Sequence, residues 1–374
     1  MKMLLKRNKQ NKIVLVTFEG VFSSVFDSQV FDFFLHQKNK SSVFSLIVRQ
    51  NLFNPFKKNR IIKLLNKIRY LDVFNFRIKY YILTSKLLNV KTIFHVRSVK
   101  PAYKILSLIS KKGYKNIHLI IDIRGIPELE LKFFDNQKKY NLYNKYNKCI
   151  FNNEFVSFSF VSNKLREHYE TKYHQNYKNR SIICPSYSNY INLPLKNNNS
   201  KKINLVYIGG NQKYQNILSL VEIVTKSNLY TITIFTHNSI KIPDKFKSNK
   251  IKFIHGYDSL KVRKKLVNFD YGILHRDFSI FNSVATPTKV SEYWNAGLKL
   301  ICIGNPCAYE EIIKKDPKLG VILELNIDTL PKLKKPKFID KTYIKSKMKS
   351  NFSLEINANK YIEFYNKGLL RLQK

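Results

Sequence analysis

Short apolar runs alternate with helical patterns in two successive series, and this alternation is the strongest constraint on the fold. The runs of the first series, between Ile13 and Pro185, are IVLVTF, VFSLIV, TIFHV, HLIIDI, FVSFSFVS and SIICP. The runs of the second series are NLVYIG, YTITIFT, IKFIHG, YGILH, LKLICIG and GVILEL. Strand-length apolar runs that alternate with helices predict a parallel sheet covered by helices. We therefore expect an α/β chain with two Rossmann-like sheets.

The two series are separated by YSNYINLPLKNNNSKK, which is rich in Asn, Ser, Pro and Lys and has no apolar periodicity. A chain of 374 residues is also longer than one hydrophobic core usually supports. We therefore predict an N-terminal domain over residues 1–186, a linker over 187–202, a second domain over 203–352 and a terminal helix over 353–374. Ligands bind at the carboxyl edges of such sheets, so we expect the two domains to face each other across a cleft.

The net charge is strongly positive, because 67 Lys and Arg stand against 25 Asp and Glu, giving +42. Nucleic acid, an anionic membrane surface and a biased codon supply are three explanations. The sequence has no zinc-finger spacing, RRM signature or KH clamp, so nucleic acid is the least favoured partner. A membrane surface has a local candidate in residues 59–88, where basic residues flank apolar residues at helical spacing, namely Ile61, Leu64, Leu65, Ile68 and Leu71. A surface helix packed on the first domain is the alternative.

Targeting and metal signals are weak in the sequence. No window of eighteen apolar residues is free of charge, and the apolar stretch Met3–Leu5 is too short for a secretory signal. We therefore expect a cytoplasmic protein, peripheral at the inner face of the cell membrane. The four cysteines have no metal-ligand spacing, and no acidic cluster suits a divalent ion. We expect no metal and no cofactor.

The segment Phe269–Cys302 predicts an anion site, because an apolar strand, a polar loop, a helix and a second strand follow one another in it. Pro287 stands where a helix can begin, with Thr286 before it as a candidate cap. The free amides of the first turn and the helix dipole favour a phosphate. Lys289 adds a positive charge, and Arg276 leaves the preceding strand on the same rim.

The sequence ATPTKVSEYWNAGLKLI, residues 285–301, resembles the nucleotide-sugar site of retaining GT-B glycosyltransferases of the family-4 type. The resemblance implies that Thr288 and Lys289 contact the nucleotide diphosphate and that Glu292 binds the ribose hydroxyls. It also implies that Arg276 neutralises the diphosphate. Val284 is a departure, since the commoner family pattern has a second glutamate at that position.

Weaker resemblance extends over roughly residues 13–323. It implies a donor site formed by Gly209, Gly210, Lys213, Tyr257, Arg276, Pro287, Thr288, Lys289 and Glu292. It places Glu19, Gly20 and Arg97 on the acceptor side. The residues it implies for catalysis are Asp122, Arg124, Arg276 and Lys289. The two glycines also have a physical rationale, because glycine lets the backbone approach a diphosphate closely. The terminal helix is expected to return to the first domain.

The function that the resemblance implies is metal-independent transfer of a sugar, with retained configuration, from a nucleotide-diphosphate-sugar to a glycan or lipid-linked glycan. Assembly of a surface polysaccharide, such as capsule or lipopolysaccharide, is the expected setting. A polyol-phosphate transferase of the same fold and a non-enzymatic polyanion-binding protein are the alternatives. A serine hydrolase is excluded, because the G-x-S-x-G motif is missing.

Several candidate site residues also have a purely structural explanation. Glu292 is equally suited to an ion pair with Lys289 or another lysine. Arg276 is equally suited to be a surface charge at a strand end. Asp122 and Arg124 are equally suited to form a local ion pair that holds a loop.

Overall fold

The chain divides into two compact units, Met1–Pro185 with Asn357–Lys374 and Ser186–Ile356. The computed structural model describes residues 11–19, 26–40, 44–48, 71–87, 89–110, 115–196, 200–210, 212–236, 239, 243–244, 248–256 and 259–372. We call the two compact units unit 1 and unit 2 and describe each by itself.

Unit 1 contains a seven-stranded parallel sheet with the strand order β3-β2-β1-β4-β5-β6-β7. Its strands are β1 Lys12–Thr17, β2 Phe44–Val48, β3 Leu71–Val73, β4 Thr92–Arg97, β5 Ile117–Ile123, β6 Val156–Phe160 and β7 Ser181–Ile183. Every residue of the central strands β4, β5 and β6 is buried. This agrees with a sheet that is covered on both faces, as continuous apolar strands predict.

The helices of unit 1 follow the strands in the expected alternation. They are α1 Asp32–Lys40, α2 Phe74–Leu87, α3 Val99–Ser110, α4 Pro127–Phe133, α5 Gln137–Phe151 and α6 Asn163–Tyr173, with a π-helical turn at Phe26–Phe31 and a 3-10 turn at Lys178–Arg180. The predicted amphipathic segment over residues 59–88 is wrong at Leu71, which lies in β3 and pairs with Leu46 of β2. Pairing with the sheet overrides the local helical spacing there. Residues 59–70 lie outside the described part of the chain.

The last helix, α13 Leu354–Arg371, belongs to unit 1 from Asn357 onward. Tyr361 and Tyr365 are buried against the sheet. The Tyr365 hydroxyl lies 2.7 Å from His95 Nδ1. Gln37 Nε2 also donates to the Ala358 carbonyl at 2.8 Å. Buried aromatic and polar contacts therefore hold this helix on residues that are more than 250 positions away in sequence.

Unit 2 contains a six-stranded parallel sheet with the order β10-β9-β8-β11-β12-β13. Its strands are β8 Ile203–Ile208, β9 Tyr230–Thr236, β10 Ile251–His255, β11 Tyr271–Arg276, β12 Lys299–Gly304 and β13 Gly320–Leu323. Its helices are α7 Ile217–Thr225, α8 Ser259–Lys265, α9 Ile280–Ser283, α10 Thr288–Asn295, α11 Glu310–Lys315 and α12 Phe338–Phe352. Short 3-10 turns lie at Lys213–Gln215, Leu266–Asn268 and Cys307–Tyr309.

Helix α10 is held tightly against the sheet of unit 2 by Tyr293. Its ring packs on Gly272 so closely that a Cβ there would lie 2.2 Å from the ring. The Tyr293 hydroxyl accepts a hydrogen bond from the Ile208 amide at 2.9 Å. Trp294 Nε1 donates to the Leu319 carbonyl at 3.1 Å. These contacts hold the last turn of α10 against the end of β8, the start of β11 and the segment before β13.

Candidate functional site

The candidate site of unit 2 lies where β8, β11 and β12 end. Because the three strands are parallel, their carboxyl ends meet at one edge of the sheet. Arg276 is the last residue of β11, and Gly209 follows β8. Gly304 ends β12 with φ +76°, and a Cβ there would lie 2.4 Å from the Arg276 carbonyl oxygen. Only glycine fits at that position, because both the backbone angle and the space exclude a side chain.

Lys289 extends from the first turn of α10 to the end of β8. Its Nζ lies 4.0 Å from the centroid of the Tyr207 ring. A Cβ on Gly209 would lie 2.7 Å from the same Nζ and 2.9 Å from Gln215 Oε1. The Tyr207 hydroxyl donates to Gln215 Oε1. Gly209 is therefore needed for close approach of the ammonium group to the backbone, and the Tyr207 ring provides a cation–π contact.

Arg276 is buried, with 8% of its surface exposed. Its Nη1 donates to Asn282 Oδ1 at 2.8 Å, and its guanidinium carbon lies 4.9 Å from the centroid of the Tyr214 ring. Its Nε is buried and has no hydrogen-bond partner among the described residues. A buried donor without a partner costs free energy, of order 1–3 kcal/mol. This donor is therefore available to an anion.

Neither Lys289 nor Arg276 forms a close ion pair with a carboxylate of the described residues. Within the described part of the chain, no carboxylate lies within 4.0 Å of Lys289 Nζ or of the Arg276 guanidinium. Burial, and then the positive charge of Arg276, hold the pKa of Lys289 well below its ordinary value. A bound anion would raise the pKa of Lys289 again, because it replaces the hydration that the ammonium group has lost and opposes the repulsion between the two cations.

Helix α10 begins differently from the prediction. Pro287 is the N-cap, with no side-chain cap, and Thr288 is the first helical residue. Thr286 does not cap the helix, because its hydroxyl accepts from the Ser186 amide at 3.0 Å and donates to Ser186 Oγ at 3.1 Å. No side chain therefore caps the amides of the first turn, and an anion is a suitable partner for them.

Glu292 takes part in an ion pair with an arginine rather than with a lysine. Its Oε1 accepts from Arg263 Nε at 2.9 Å, and both side chains are 13% exposed. Arg263 lies on α8, so the pair joins α8 to α10. The ribose-binding role of Glu292 stays a prediction, and it requires the carboxylate to serve Arg263 and a hydroxyl together.

The remaining donor-side residues are placed only in part. Gly210 follows Gly209, and its carbonyl accepts from the Tyr207 hydroxyl at 3.2 Å. Lys213 begins the 3-10 turn after β8. Tyr257, like Gly20 on the acceptor side, lies outside the described residues.

In unit 1, the predicted residues Glu19, Arg97, Asp122 and Arg124 form one cluster at the carboxyl edge of the sheet. Arg97 Nε donates to Glu19 Oε1, and Arg97 Nη1 donates to Asp122 Oδ2 at 3.2 Å. Arg124 Nη1 lies 3.6 Å from Asp122 Oδ1. Arg97 and Asp122 lie side by side because they are register partners in the neighbouring strands β4 and β5.

Asp122 is the centre of this cluster and is 3% exposed. Burial alone would raise the pKa of its carboxyl group, but Arg124 and Arg97 hold that pKa below its ordinary value. The Tyr361 hydroxyl of α13 also donates to Asp122 Oδ1 at 3.3 Å. Asp122 is thus an ionised, multiply bonded group that orients the two arginines.

Sequence reasoning missed the aromatic and amide residues that hold these cations. In unit 2 they are Tyr207, Tyr214, Gln215 and Asn282, and in unit 1 the residue is Tyr361. Gln29 also holds a cation of unit 1, since its Oε1 accepts from Arg124 Nη2 at 2.5 Å. The chain has 23 tyrosines, so composition could not distinguish the tyrosines that contact the cations. Their roles depend on contacts between separate elements.

Comparisons with known proteins find the fold through structure rather than sequence. No protein-family model and no curated protein sequence matches the chain. A crystal structure of a glycosyltransferase from Rickettsia africae is 16% identical, with a TM-score of 0.64, over 96% of this chain and 99% of that one. HepE from Anabaena, solved in complex with UDP-glucose, is 8% identical with a TM-score of 0.64, over 95% and 99% of the two chains.

A third similar structure is the catalytic domain of starch synthase IV from Arabidopsis thaliana, bound to ADP and acarbose. It is 10% identical, with a TM-score of 0.60, over 96% of this chain and 99% of that one. The fold is GT-B. The predicted fold class of two Rossmann-like domains is therefore confirmed.

The described residues contain neither a group of metal-ligating side chains nor a helix that could span a membrane. No group of three or more His, Cys, Asp or Glu side chains there could hold a metal ion. No helix of that part is long and apolar enough to span a bilayer.

Proposed function

We propose that the chain is a glycosyltransferase that moves a sugar from a nucleotide-diphosphate-sugar to a glycan acceptor. The observation that most supports this proposal is the pair of Lys289 and Arg276 at the carboxyl edge of unit 2, with no carboxylate of the described residues within 4.0 Å of either cation and with Arg276 Nε left without a hydrogen-bond partner among those residues. A diphosphate is the ligand that such a site suits, because it offers several anionic oxygens to separate donors. The nucleotides bound to HepE and to starch synthase IV support the choice of a nucleotide donor.

In this proposal, unit 2 binds the donor. The diphosphate accepts from Arg276 Nε, from Lys289 and from the amide of Thr288 beside Pro287. Because Gly209 and Gly210 carry no side chains, the diphosphate can approach the backbone there closely. When the bond between the sugar and the diphosphate breaks, negative charge grows on the departing phosphate, and the fixed cations stabilise that charge. No metal is required for this step.

The remaining donor contacts involve the base and the ribose. Glu292, held by Arg263, offers its second oxygen to the ribose hydroxyls. Lys213 and Tyr257 contribute to phosphate and base binding, respectively. We propose retention of configuration and similarity to family 4 on the basis of the segment 285–301, with Val284 leaving the donor sugar without the usual glutamate.

Unit 1 binds the acceptor in this proposal, through the edge that bears Glu19 and Arg97, and Gly20 is a further predicted acceptor-side residue. Asp122 and Arg124 act there by holding the acceptor hydroxyl near the reacting carbon. Because Asp122 is bonded by Arg97, Arg124 and Tyr361, we assign it a positioning role in which its charge orients Arg124. The acceptor is a lipid-linked glycan of a surface polysaccharide such as capsule or lipopolysaccharide. The enzyme acts in the cytoplasm, peripheral to the membrane.

The test is calorimetric titration of the full chain with UDP, GDP, CDP and ADP in the presence of EDTA. We expect one of the four to bind with a Kd below about 1 mM, which corresponds to about 4 kcal/mol. Transfer assays with sugars linked to the preferred nucleotide then identify the donor. Lack of binding by all four nucleotides at low salt would contradict the proposal, and transfer from a CDP-polyol instead of a sugar would favour the polyol-phosphate alternative.

A further inference from the structure

The loop between β8 and α7, residues 209–216, contacts the surroundings of both cations in unit 2. We call it the β8–α7 loop. The ring of Tyr214 lies on Arg276, with its centroid 4.9 Å from the guanidinium carbon. Gln215 accepts from the hydroxyl of the tyrosine whose ring contacts Lys289. The position of this loop therefore determines what surrounds the two cations.

The last residue of the β8–α7 loop is Asn216, and it is held by both sequence neighbours of Arg276. Asn216 has a left-handed backbone with φ +44°, and its side chain does not cap α7. Asparagine is one of the few residues besides glycine that adopts this conformation readily. Asn216 Nδ2 donates to Asp277 Oδ1 at 3.4 Å, and the Asn216 carbonyl accepts from His275 Nδ1 at 3.0 Å. The end of β11 thus binds the end of the loop twice.

His275 serves this contact as a neutral hydrogen-bond donor. It is 1% exposed, and burial holds its pKa below the ordinary value of histidine. Because a carbonyl can only accept, Nδ1 carries the proton of the neutral ring. Nε2 is buried and has no hydrogen-bond partner among the described residues. Within that part of the chain, the polar contact of the His275 ring is therefore with the β8–α7 loop.

The guanidinium of Arg276 is held from two sides. Asn282 is fully buried, and its Oδ1 accepts from Arg276 Nη1 at 2.8 Å while its Nδ2 donates to the Asp277 carbonyl at 2.9 Å. This contact belongs to the segment that follows β11. The second contact is the ring of Tyr214, and it belongs to the β8–α7 loop. The contact with Tyr214 therefore depends on how the loop is anchored.

We propose that His275 is a positioning residue of the donor site. By its hydrogen bond to Asn216 it keeps the β8–α7 loop in place, so that Tyr214 stays on the guanidinium and Arg276 Nε stays directed at the anion. Arg276 is then ordered before the anion binds, which raises affinity because less conformational entropy is lost on binding. This inference rests on the proposed function, since it gives His275 a part in binding the diphosphate.

Inorganic pyrophosphate is the probe for this inference, because it offers the anionic oxygens of the donor without its base or sugar. The full chain is titrated calorimetrically at low salt. His275→Leu removes the hydrogen-bond donor, and we expect the Kd for pyrophosphate to rise about fivefold. His275→Asn is expected to restore most of the affinity, because its amide nitrogen can replace Nδ1. The matched control His118→Leu removes a buried histidine of unit 1 and should leave this Kd unchanged.

A double-mutant cycle separates positioning of Arg276 from a general effect on unit 2. If His275 acts through the arginine, His275→Leu should not weaken binding further in an Arg276→Gln background. Tyr214→Leu removes the ring at the other end of the same chain of contacts and is expected to weaken pyrophosphate binding about fivefold. This variant leaves β11 unchanged, so it tests the inference even if His275→Leu does not fold.

Three results would overturn the inference. They are wild-type affinity for pyrophosphate in His275→Leu or in Tyr214→Leu, an equal effect of His275→Leu with and without Arg276, and failure of the wild type to bind pyrophosphate. Titration of the wild type with nucleotides separates the inference from the proposed function. The predicted cycle with pyrophosphate beside no binding of any nucleotide would remove only the proposed function, whereas nucleotide binding that is unchanged in His275→Leu would remove only the inference.

Discussion

At the scale of single residues, the proposed donor site depends on a cation held in an unfavourable environment. Lys289 contacts the ring of Tyr207 and is partly buried, and burial and the charge of Arg276 lower its pKa. Such a group lowers the stability of the free protein and gains from an anion. Gly209 allows this arrangement, because any Cβ there would displace the Lys289 ammonium group.

The role of Gly209 leads to a prediction with a matched glycine control. In Gly209→Ala, the new methyl group would lie 2.7 Å from Lys289 Nζ and move the ammonium group. We expect nucleotide affinity to fall about tenfold, as for a weakened charged hydrogen bond. In the control Gly125→Ala of unit 1, the methyl group would make only an ordinary contact, 3.7 Å from Glu130 Oε1. Calorimetric titration should therefore show nearly unchanged affinity in this second variant, and an equal loss in both would refute the role of Gly209.

At the scale of elements, the sequence predicted the strands well. All twelve apolar runs form strands in the structure, and only β3 was missed. Strand β3 has three residues and depends on pairing with β2, so local periodicity could not reveal it. The predicted cap of α10 was wrong for a similar reason, because Thr286 bonds to Ser186, which lies 100 residues away.

Helix α13 leads to a prediction about how the free energy of unfolding depends on pH. It covers His95 and His118, and burial lowers the pKa of each to about 4. Since the unfolded chain binds these protons near pH 6.5 and the folded chain near pH 4, stability falls as pH drops through that window and levels off below it. Each histidine contributes a slope of up to ~1.4 kcal/mol per pH unit.

The measurement is urea denaturation between pH 7 and pH 4.5 for the wild type and for His118→Gln. The free energy of unfolding of the variant should depend less steeply on pH, by about 1 kcal/mol per pH unit. The wild type is the control, because all other titrating groups are common to both proteins. Parallel curves for the two proteins would show that His118 is not held neutral under α13.

At the scale of the whole molecule, the alternation of strand and helix was enough to predict two parallel sheets, and the resemblance of residues 285–301 implied the GT-B fold class. The sequence also predicted that Arg276 and Lys289 share one rim of unit 2. It could not predict that Glu292 pairs with Arg263, nor that Arg276 Nε is left without a partner among the described residues. Those facts depend on side-chain packing between elements that are distant in sequence.

The central claim is that unit 2 holds a buried arginine and a partly buried lysine for a nucleotide diphosphate. The most direct test is calorimetric titration of Lys289→Met with the preferred nucleotide. The thermal unfolding of this variant is measured as well, in the absence of ligand. The control is Lys314→Met, at an exposed lysine of α11. We predict that Lys289→Met weakens nucleotide binding about ten- to hundredfold and leaves the melting temperature of the free protein unchanged or higher, because a buried charge is removed. Lys314→Met should change neither quantity. Wild-type affinity in Lys289→Met would contradict the account.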